Sequence, residues 1–182
     1  MSLKKSYNIF VAFFLLKFYI FGDLSKKNET PKYDLYRNTN TTIFEFKSIG
    51  PNGEITKVII FNATQSKEIY NLAFGDLIYD EVQKRYTLDD SIITDNGDRN
   101  IILATVARSV YIFTEKYPEK MVFFKGSTHG RTRLYRSAIS INLEELSETF
   151  TIFGAIKNEF GNIISVPFKP NGDFFGFIIK RK

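Results

Sequence analysis

A short segment of small, hydroxylated and basic residues is the part of this sequence best suited to chemistry. It reads Lys125-Gly126-Ser127-Thr128, and helical periodicity begins directly after it. The first backbone N–H groups of a helix are unpaired and the helix dipole favours negative charge there, so the segment predicts an anion-binding site. Ser127 adds a hydroxyl donor, and Thr128 either does the same or caps the helix.

Three arginines follow this segment. Arg131 falls in the first turn of the predicted helix, where a cation opposes the dipole and needs another reason to be present. Arg133 and Arg136 are three residues apart and share a helix face. Guanidinium groups bind phosphate or carboxylate through paired hydrogen bonds, although the spacing here is neither a Walker A loop nor a dinucleotide fingerprint. The predicted ligand-binding residues are Lys125, Ser127, Thr128, Arg131, Arg133 and Arg136.

Charge is distributed unevenly along the chain. The net charge of +5, from 25 basic and 20 acidic residues, permits an anionic partner without demanding one. Residues 76–98 are rich in carboxylates, whereas residues 121–143 contain basic residues and no carboxylate. Two interpretations stay open. Either the basic segment binds an anion, or its arginines pair with the carboxylates of residues 76–98 and hold a helix on a sheet.

Several kinds of chemistry are excluded or disfavoured by composition. The chain has no Cys, which excludes disulfides, thiolate metal sites and cysteine nucleophiles, and a single His, His129, which excludes a two-histidine metal site. We therefore predict no catalytic residue, no metal site and no cofactor. Weaker interpretations are an acid–base role for His129, a cation site among Asp76, Asp80, Asp95 and Asp98, and base stacking by Tyr70, Tyr79, Tyr86 and Tyr135.

Alternation of β-branched and aromatic residues predicts the strands around this segment. The turn Gly50-Pro51-Asn52-Gly53 joins the first two, because Asn-Gly supplies the positive φ of a tight hairpin. The last two strands are joined through Pro170-Asn171-Gly172. The predicted strands are Thr41–Ser48, Glu54–Asn62, Glu68–Leu77, a short one at Arg85–Leu88, a buried one at Lys120–Lys125, and three closing strands at Phe150–Ile156, Asn162–Val166 and Phe174–Lys180.

Two principal helices are predicted. The first runs over Arg99–Lys116, with Asp98 as a plausible N-cap and Pro118 as its stop. Its apolar face is predicted to be buried against the sheet and contains Ile102, Val106, Val110 and Phe113. The second runs over His129–Ile141, and Asn142 caps one further turn. The predicted fold class is α+β, a mainly antiparallel sheet of about six to seven strands with two principal helices packed on it.

The first 30 residues differ in character from the rest. Residues 9–21 are apolar except for Lys17, and residues 23–32 read as a polar linker. Three interpretations stay open: an extra leader, a signal peptide or membrane-proximal anchor, and a packed helix. The apolar run is too short for a transmembrane span, so no integral membrane span is expected. We predict that residues 1–30 are a leader or linker outside the fold and that residues 31–182 form a single α+β domain.

Several motifs together resemble a known family. They include Asn96-Gly97-Asp98-Arg99 and a long motif from Phe124-Lys125-Gly126-Ser127-Thr128 to Arg131-Thr132-Arg133-Leu134-Tyr135-Arg136. Over roughly residues 33–182 the chain resembles an uncharacterised bacterial family, domain of unknown function 6934. The resemblance implies a bacterial, cytoplasmic domain beginning near Tyr33, with export or membrane tethering as the alternative if residues 1–22 act as a signal. It implies no activity.

Three functional classes follow from these residues. We favour a non-enzymatic binding module for an anionic ligand, either nucleic acid or a phosphorylated molecule, bound at the Gly-Ser-Thr loop and the Arg-rich helix start. The second class is a protein-interaction component, such as half of a toxin–antitoxin or defence pair, with a partner encoded nearby. The third is a phosphate-handling enzyme such as a nuclease, and whether the protein is an enzyme stays open, with a preference for no.

Overall fold

A computed structural model describes residues 31–90 and 94–182, and the predictions for residues 1–30 lie outside the described residues. The α+β class and the mainly antiparallel sheet are confirmed. The described strands are β1 (Tyr36–Arg37), β2 (Ile43–Gly50), β3 (Gly53–Ala63), β4 (Ile69–Asp80), β5 (Arg85–Asp89), β6 (Met121–Phe124), β7 (Phe150–Lys157), β8 (Ile163–Pro167) and β9 (Gly176–Arg181). The described helices are α1 (Arg99–Lys116), α2 (His129–Ile141) and α3 (Leu143–Thr149).

Over the described residues the sheet has nine strands, and the expected number of six to seven is wrong. Strand β5 matches the short strand predicted at Arg85–Leu88, whereas β1 has two residues and is too short for an alternating pattern to be recognised. The order is β1-β2-β3-β4-β6-β9-β7-β8, and β5 pairs with β4 beside this path. Likewise α3 is a separate short helix of seven residues rather than one further turn.

The N-terminal half of the sheet is the predicted meander. Gly50 pairs with Gly53 across a two-residue turn, and Gly53 has a φ of 86°, which a residue with a Cβ adopts only with strain. Strands β2, β3, β4 and β5 then pair in chain order, each antiparallel to the one before. This half is therefore built from local hairpins.

Strand β6 joins the two halves of the sheet. It pairs parallel with β4 over Ile69–Asn71, after the crossover through α1, and antiparallel with β9 on its other side. Strand β5 covers the opposite end of β4, over Asp76–Asp80. The neighbour of β4 therefore changes from β6 to β5 near the middle of the strand. In the C-terminal half, β7 lies between β8 and β9, so the two strands joined through residues 170–172 are not neighbours.

The helices lie over two buried apolar clusters. One contains Phe44, Phe61 and Phe113, and the other contains Ile139 and Phe177. The prediction for the apolar face of α1 is confirmed for Ile102 and Phe113, which are buried. Val106 and Val110 also pack against the first cluster, but they are only half-buried and line a cleft.

Candidate functional site

A cleft of about 990 Å³ lies between the sheet and the helices. Strands β4, β6, β7 and β9 contribute one wall, and α1, α2 and α3 contribute the other. The cleft adjoins the middle of β4, where the sheet divides between β5 and β6. Its lining includes the start of α2 and a cluster of polar residues from β3, β4 and the segment before α1.

Thr128 and Thr132 fix the start of α2. Thr128 is the N-cap, and its Oγ1 accepts a hydrogen bond from the backbone N–H of Arg131 at 3.2 Å. The backbone N–H of Gly126 donates to Oγ1 of Thr132 at 3.1 Å. Two backbone N–H groups that the sequence offers to an anion are therefore already used. What remains for a ligand here is the side chains and the first-turn N–H groups of His129 and Gly130, which have no carbonyl partner within the helix.

Four of the six predicted ligand-binding residues line the cleft: Lys125, Ser127, Thr128 and Arg131. The Arg131 guanidinium donates to Oγ of Ser127, which holds it across the loop. The Lys125 Nζ lies 4.7 Å from the centroid of the Phe175 ring, a cation–π distance. Phe175 packs with Phe123 and Ile178, on the face of the sheet opposite Phe124 and the helices, so the Lys125 ammonium lies away from Arg131. The loop and the first turn of α2 thus bring one arginine and two hydroxyls together.

Arg133 and Arg136 are placed elsewhere. Neither is part of the cleft lining. Arg133 is exposed, and the Arg136 guanidinium donates to the carbonyl oxygen of Gly172 at 2.7 Å. Arg131 cannot face the same way as the other two, because positions two and five residues further along a helix are turned by about 200° and about 140°. The six residues therefore form two groups.

The alternative in which the arginines pair with the acidic segment is wrong for the described residues. None of Arg131, Arg133 and Arg136 lies within ion-pair distance of a carboxylate there. Asp76 pairs instead with Lys57, and both side chains are buried. The Lys57 Nζ also donates to Oγ1 of Thr94 at 2.6 Å, and that hydroxyl donates to Asp76 at 2.9 Å. The side chains of Lys57, Asp76 and Thr94 are therefore hydrogen-bonded to one another.

Asp98 stands at the N-cap position of α1 without capping it, which corrects the prediction. Its Oδ2 instead accepts hydrogen bonds from the Tyr33 hydroxyl and from Oγ of Ser48, each at 2.7 Å. Its Oδ1 is shielded from solvent and has no hydrogen-bond partner in the described structure. Burial raises the pKa of Tyr33, and the hydrogen bond to the Asp98 carboxylate raises it further. The Tyr33 hydroxyl therefore stays protonated, and continues to donate to this carboxylate, at pH values above the usual pKa of tyrosine.

Apolar side chains line the middle of the cleft. Many of them are only half-buried, although they project from the inner faces of the sheet and the helices. Tyr135 contributes its ring from α2, and burial raises the pKa of its hydroxyl while the nearby Arg131 opposes that shift. The half-buried apolar lining consists of Leu72, Phe74, Leu103, Val106, Ala107, Val110, Tyr111, Phe124, Tyr135, Ile152 and Ile179.

The weaker interpretations can also be placed. His129 is exposed, with Nε2 4.0 Å from Oδ1 of Asp173. Tyr70 packs against the first core cluster, whereas Tyr79 and Tyr86 contact each other on the surface. Over residues 31–90 and 94–182, no group of three or more His and acidic side chains is arranged to hold a metal ion. No described helix has the length and hydropathy of a membrane span.

Sequence reasoning missed Lys57 and the cleft itself. A signal for Lys57 exists: it precedes Val58-Ile59-Ile60-Phe61 in a strand that a hairpin places inside the sheet. A lysine there needs a buried counterion. The cleft has no such signal, because it depends on how far apart two layers pack.

The family is settled by comparison with known sequences. No curated protein and no solved structure matches the chain. The model of a family of unknown function, DUF6934, matches residues 29–182, which include every strand and helix of the sheet and the cleft. The chain therefore belongs to the DUF6934 family.

Proposed function

We propose that this protein is a non-enzymatic module that binds a phosphorylated ligand in the cleft, in the bacterial cytoplasm. The observation that carries the proposal is the Arg131 guanidinium at the start of α2. Arg131 lines the cleft and has no carboxylate partner among the described residues. An unpaired guanidinium beside the hydroxyls of Ser127 and Thr128 is suited to phosphate.

The position of Arg131 supports this assignment. A cation in the first turn of a helix opposes the dipole, so its presence costs free energy unless an anion compensates. The guanidinium is held by Ser127 and is half-buried, which reduces the entropy lost when a ligand binds. The remaining guanidinium N–H groups stay available to a phosphate oxygen.

A concave site favours a small phosphorylated molecule over a nucleic acid. Small-molecule ligands bind in clefts that bury most of their surface, whereas polynucleotides bind along extended basic surfaces. Here the basic residues of α2 divide between the cleft and the outer surface. Nucleic acid is the rival anion, and the experiment distinguishes the two.

The test is a calorimetric titration of the full chain with inorganic phosphate and, separately, with a short single-stranded oligonucleotide. We expect Arg131→Gln to weaken phosphate binding at least tenfold, since the cleft loses its fixed cation. The matched control is Arg133→Gln, an exposed arginine outside the cleft, which should change the affinity less than twofold. Binding should weaken as salt rises.

Three results would contradict the proposal. They are no phosphate binding at all, equal effects of the two variants, and oligonucleotide binding that depends on Arg133 rather than on Arg131. In the last case the log–log salt slope should change by roughly 0.7 when one phosphate contact to a single strand is lost. That result would assign the function to nucleic-acid binding on the outer surface.

A second candidate is a protein-interaction component, such as half of a toxin–antitoxin or defence pair. Strand β8 is at the edge of the sheet, and Phe160, Ile163 and Ile164 are exposed on it or beside it. An edge strand with exposed apolar side chains is suited to pairing with another chain. Co-purification of the product of a neighbouring gene, lost on Ile164→Lys, would favour this candidate.

A further inference from the structure

The inner faces of this fold are not closed on each other. In a two-layer α+β domain, side chains between the helices and the sheet are normally packed to the density of a crystal. Here the two core clusters are buried, but many of the side chains that pack against them are half-buried and line the cleft. Those from β4, α1 and β9 are Leu72, Phe74, Leu103, Val106, Val110 and Ile179.

The charged residues that line the cleft form two sets, and the sets differ. In the first set, Lys57, Asp76 and Thr94 bond to one another. Asp98 bonds to Tyr33 and Ser48, and Arg99 lies in the same part of the lining as Asp90 and Asp95. The second set is Arg131, which has no carboxylate partner in the described part of the chain. Carboxylates therefore outnumber cations in the first set, and Arg131 is the cation best placed for an anionic ligand.

This arrangement selects between classes of phosphorylated ligand. A nucleotide would place ribose hydroxyls and base edges against aliphatic and aromatic side chains, so their hydrogen bonds to water would be lost. A hydrocarbon chain loses no hydrogen bond there and removes apolar surface of both partners from water. A volume of about 990 Å³ is at the upper end of the range for small-molecule pockets.

We propose that the cleft binds an amphiphile, with its anionic head at Arg131 and an acyl or isoprenoid chain between α1 and the sheet. The anionic half of this inference rests on the proposed function, and the apolar half rests on the half-buried lining. The shared chemistry of the candidate ligands is a phosphate or carboxylate joined to a long hydrocarbon. A phosphate head and a carboxylate head are distinguished by comparing two probes of equal chain length.

The experiment titrates the full chain with five probes, each below its micelle concentration. They are decyl phosphate, decanoate, decanol, adenosine monophosphate and inorganic phosphate. We expect decyl phosphate or decanoate to bind at least a hundredfold more tightly than inorganic phosphate or adenosine monophosphate. Lengthening the chain from eight to ten carbons should tighten binding about fourfold per methylene. One molecule should bind per chain.

Matched variants locate the two halves of the ligand. Val106→Phe fills the cleft and should weaken binding of decyl phosphate at least tenfold, with little change for inorganic phosphate. The control Val82→Phe makes the same substitution on an exposed turn, where Val82 is 92% exposed, and should change neither affinity. Arg131→Gln should weaken decyl phosphate and leave decanol unchanged. If Val106→Phe does not fold, the chain-length series on the natural sequence decides the question.

Each failure has a separate meaning. If adenosine monophosphate or inorganic phosphate binds as tightly as decyl phosphate, the amphiphile is overturned and the proposed function survives. If decanol binds as tightly as decyl phosphate and Arg131→Gln has no effect, the anionic site is wrong and both proposals fail. Binding of many molecules per chain with loss of the cooperative melt would be detergent action and would also overturn the inference.

Discussion

Lys57 and Asp76 show how single residues shape this sheet. They lie directly opposite each other in the ladder between β3 and β4, and both side chains are buried. Removing two charges from water is costly, and only a close partner with further hydrogen bonds offsets that cost. Thr94 supplies those hydrogen bonds to both charges. The pair therefore ties the segment before α1 to the centre of the meander.

Breaking this pair should be expensive. Asp76→Asn leaves the Lys57 ammonium buried without a counterion, so we expect a loss of about 3 to 5 kcal/mol in the free energy of unfolding. The control is Glu54→Gln, which breaks the exposed ion pair between Lys47 and Glu54, where Nζ and Oε1 are 2.6 Å apart. That loss should be much smaller, because water screens an exposed ion pair. Urea unfolding measures both, and equal losses would show that the buried pair is hydrated.

Individual residue roles were predictable where they depend on neighbours in sequence. Thr128 acts as an N-cap because the residue three positions later supplies the N–H that it accepts. Asp98 occupies an equally plausible cap position, yet Tyr33 and Ser48 take its carboxylate from far away in the chain. The local sequence is compatible with either role for Asp98, and its contacts with residues distant in sequence determine which role it takes.

The start of α2 is the element on which the proposed site depends. Gly126 is buried, and a Cβ there would lie 2.5 Å from the backbone nitrogen of Thr132. The neighbouring atom belongs to the helix backbone, so it cannot move aside as a flexible side chain can. Gly130 lies four residues further on and has open space, since the nearest heavy atom to a Cβ would be 3.9 Å away.

The two glycines should therefore respond in opposite directions. Gly126→Ala should lower the free energy of unfolding by about 1 to 3 kcal/mol, because it overpacks the loop against α2. Gly130→Ala should raise it by up to about 1 kcal/mol, since alanine is the better helix former. Thermal and urea unfolding of both variants checks this. A stable Gly126→Ala protein would mean that the loop is not held against Thr132.

Elements were predictable to the extent that their signals are local. The bounds of α1 and α2 follow from apolar periodicity, and Pro118 comes two residues after the end of the first helix. The hairpin at Gly53 follows from its turn residues. By contrast, the insertion of β7 between β8 and β9 depends on which edges remain free after the earlier strands have paired. No pattern within a single strand contains that information.

The whole molecule should not need its first 30 residues in order to fold. The family match begins at residue 29, and Tyr33 already packs against the first core cluster. We expect a chain of residues 31–182 to unfold cooperatively, with a free energy of unfolding within about 1 kcal/mol of the full chain. That difference is small against the usual 5 to 15 kcal/mol for a native domain.

Calorimetry and urea unfolding of the two chains measure the difference. A soluble shortened chain with the same cooperative melt would support a domain that begins near residue 31. Aggregation, or a loss of several kcal/mol, would show that the apolar residues 9–21 belong to the fold.

The position of β6 has a consequence for how the protein is made. A ribosome releases β1 to β5 first, and these strands can pair at once because their contacts are local. The edge of β4 that receives β6 must then wait until residues 121–124 have emerged and α1 has crossed over the sheet. During that interval the nascent chain presents an unpaired strand edge and an uncovered apolar face, the two features that chaperones bind and that aggregation exploits. Slower translation through α1 would lengthen this exposure, so the yield of folded protein should depend on the speed of synthesis between β5 and β6.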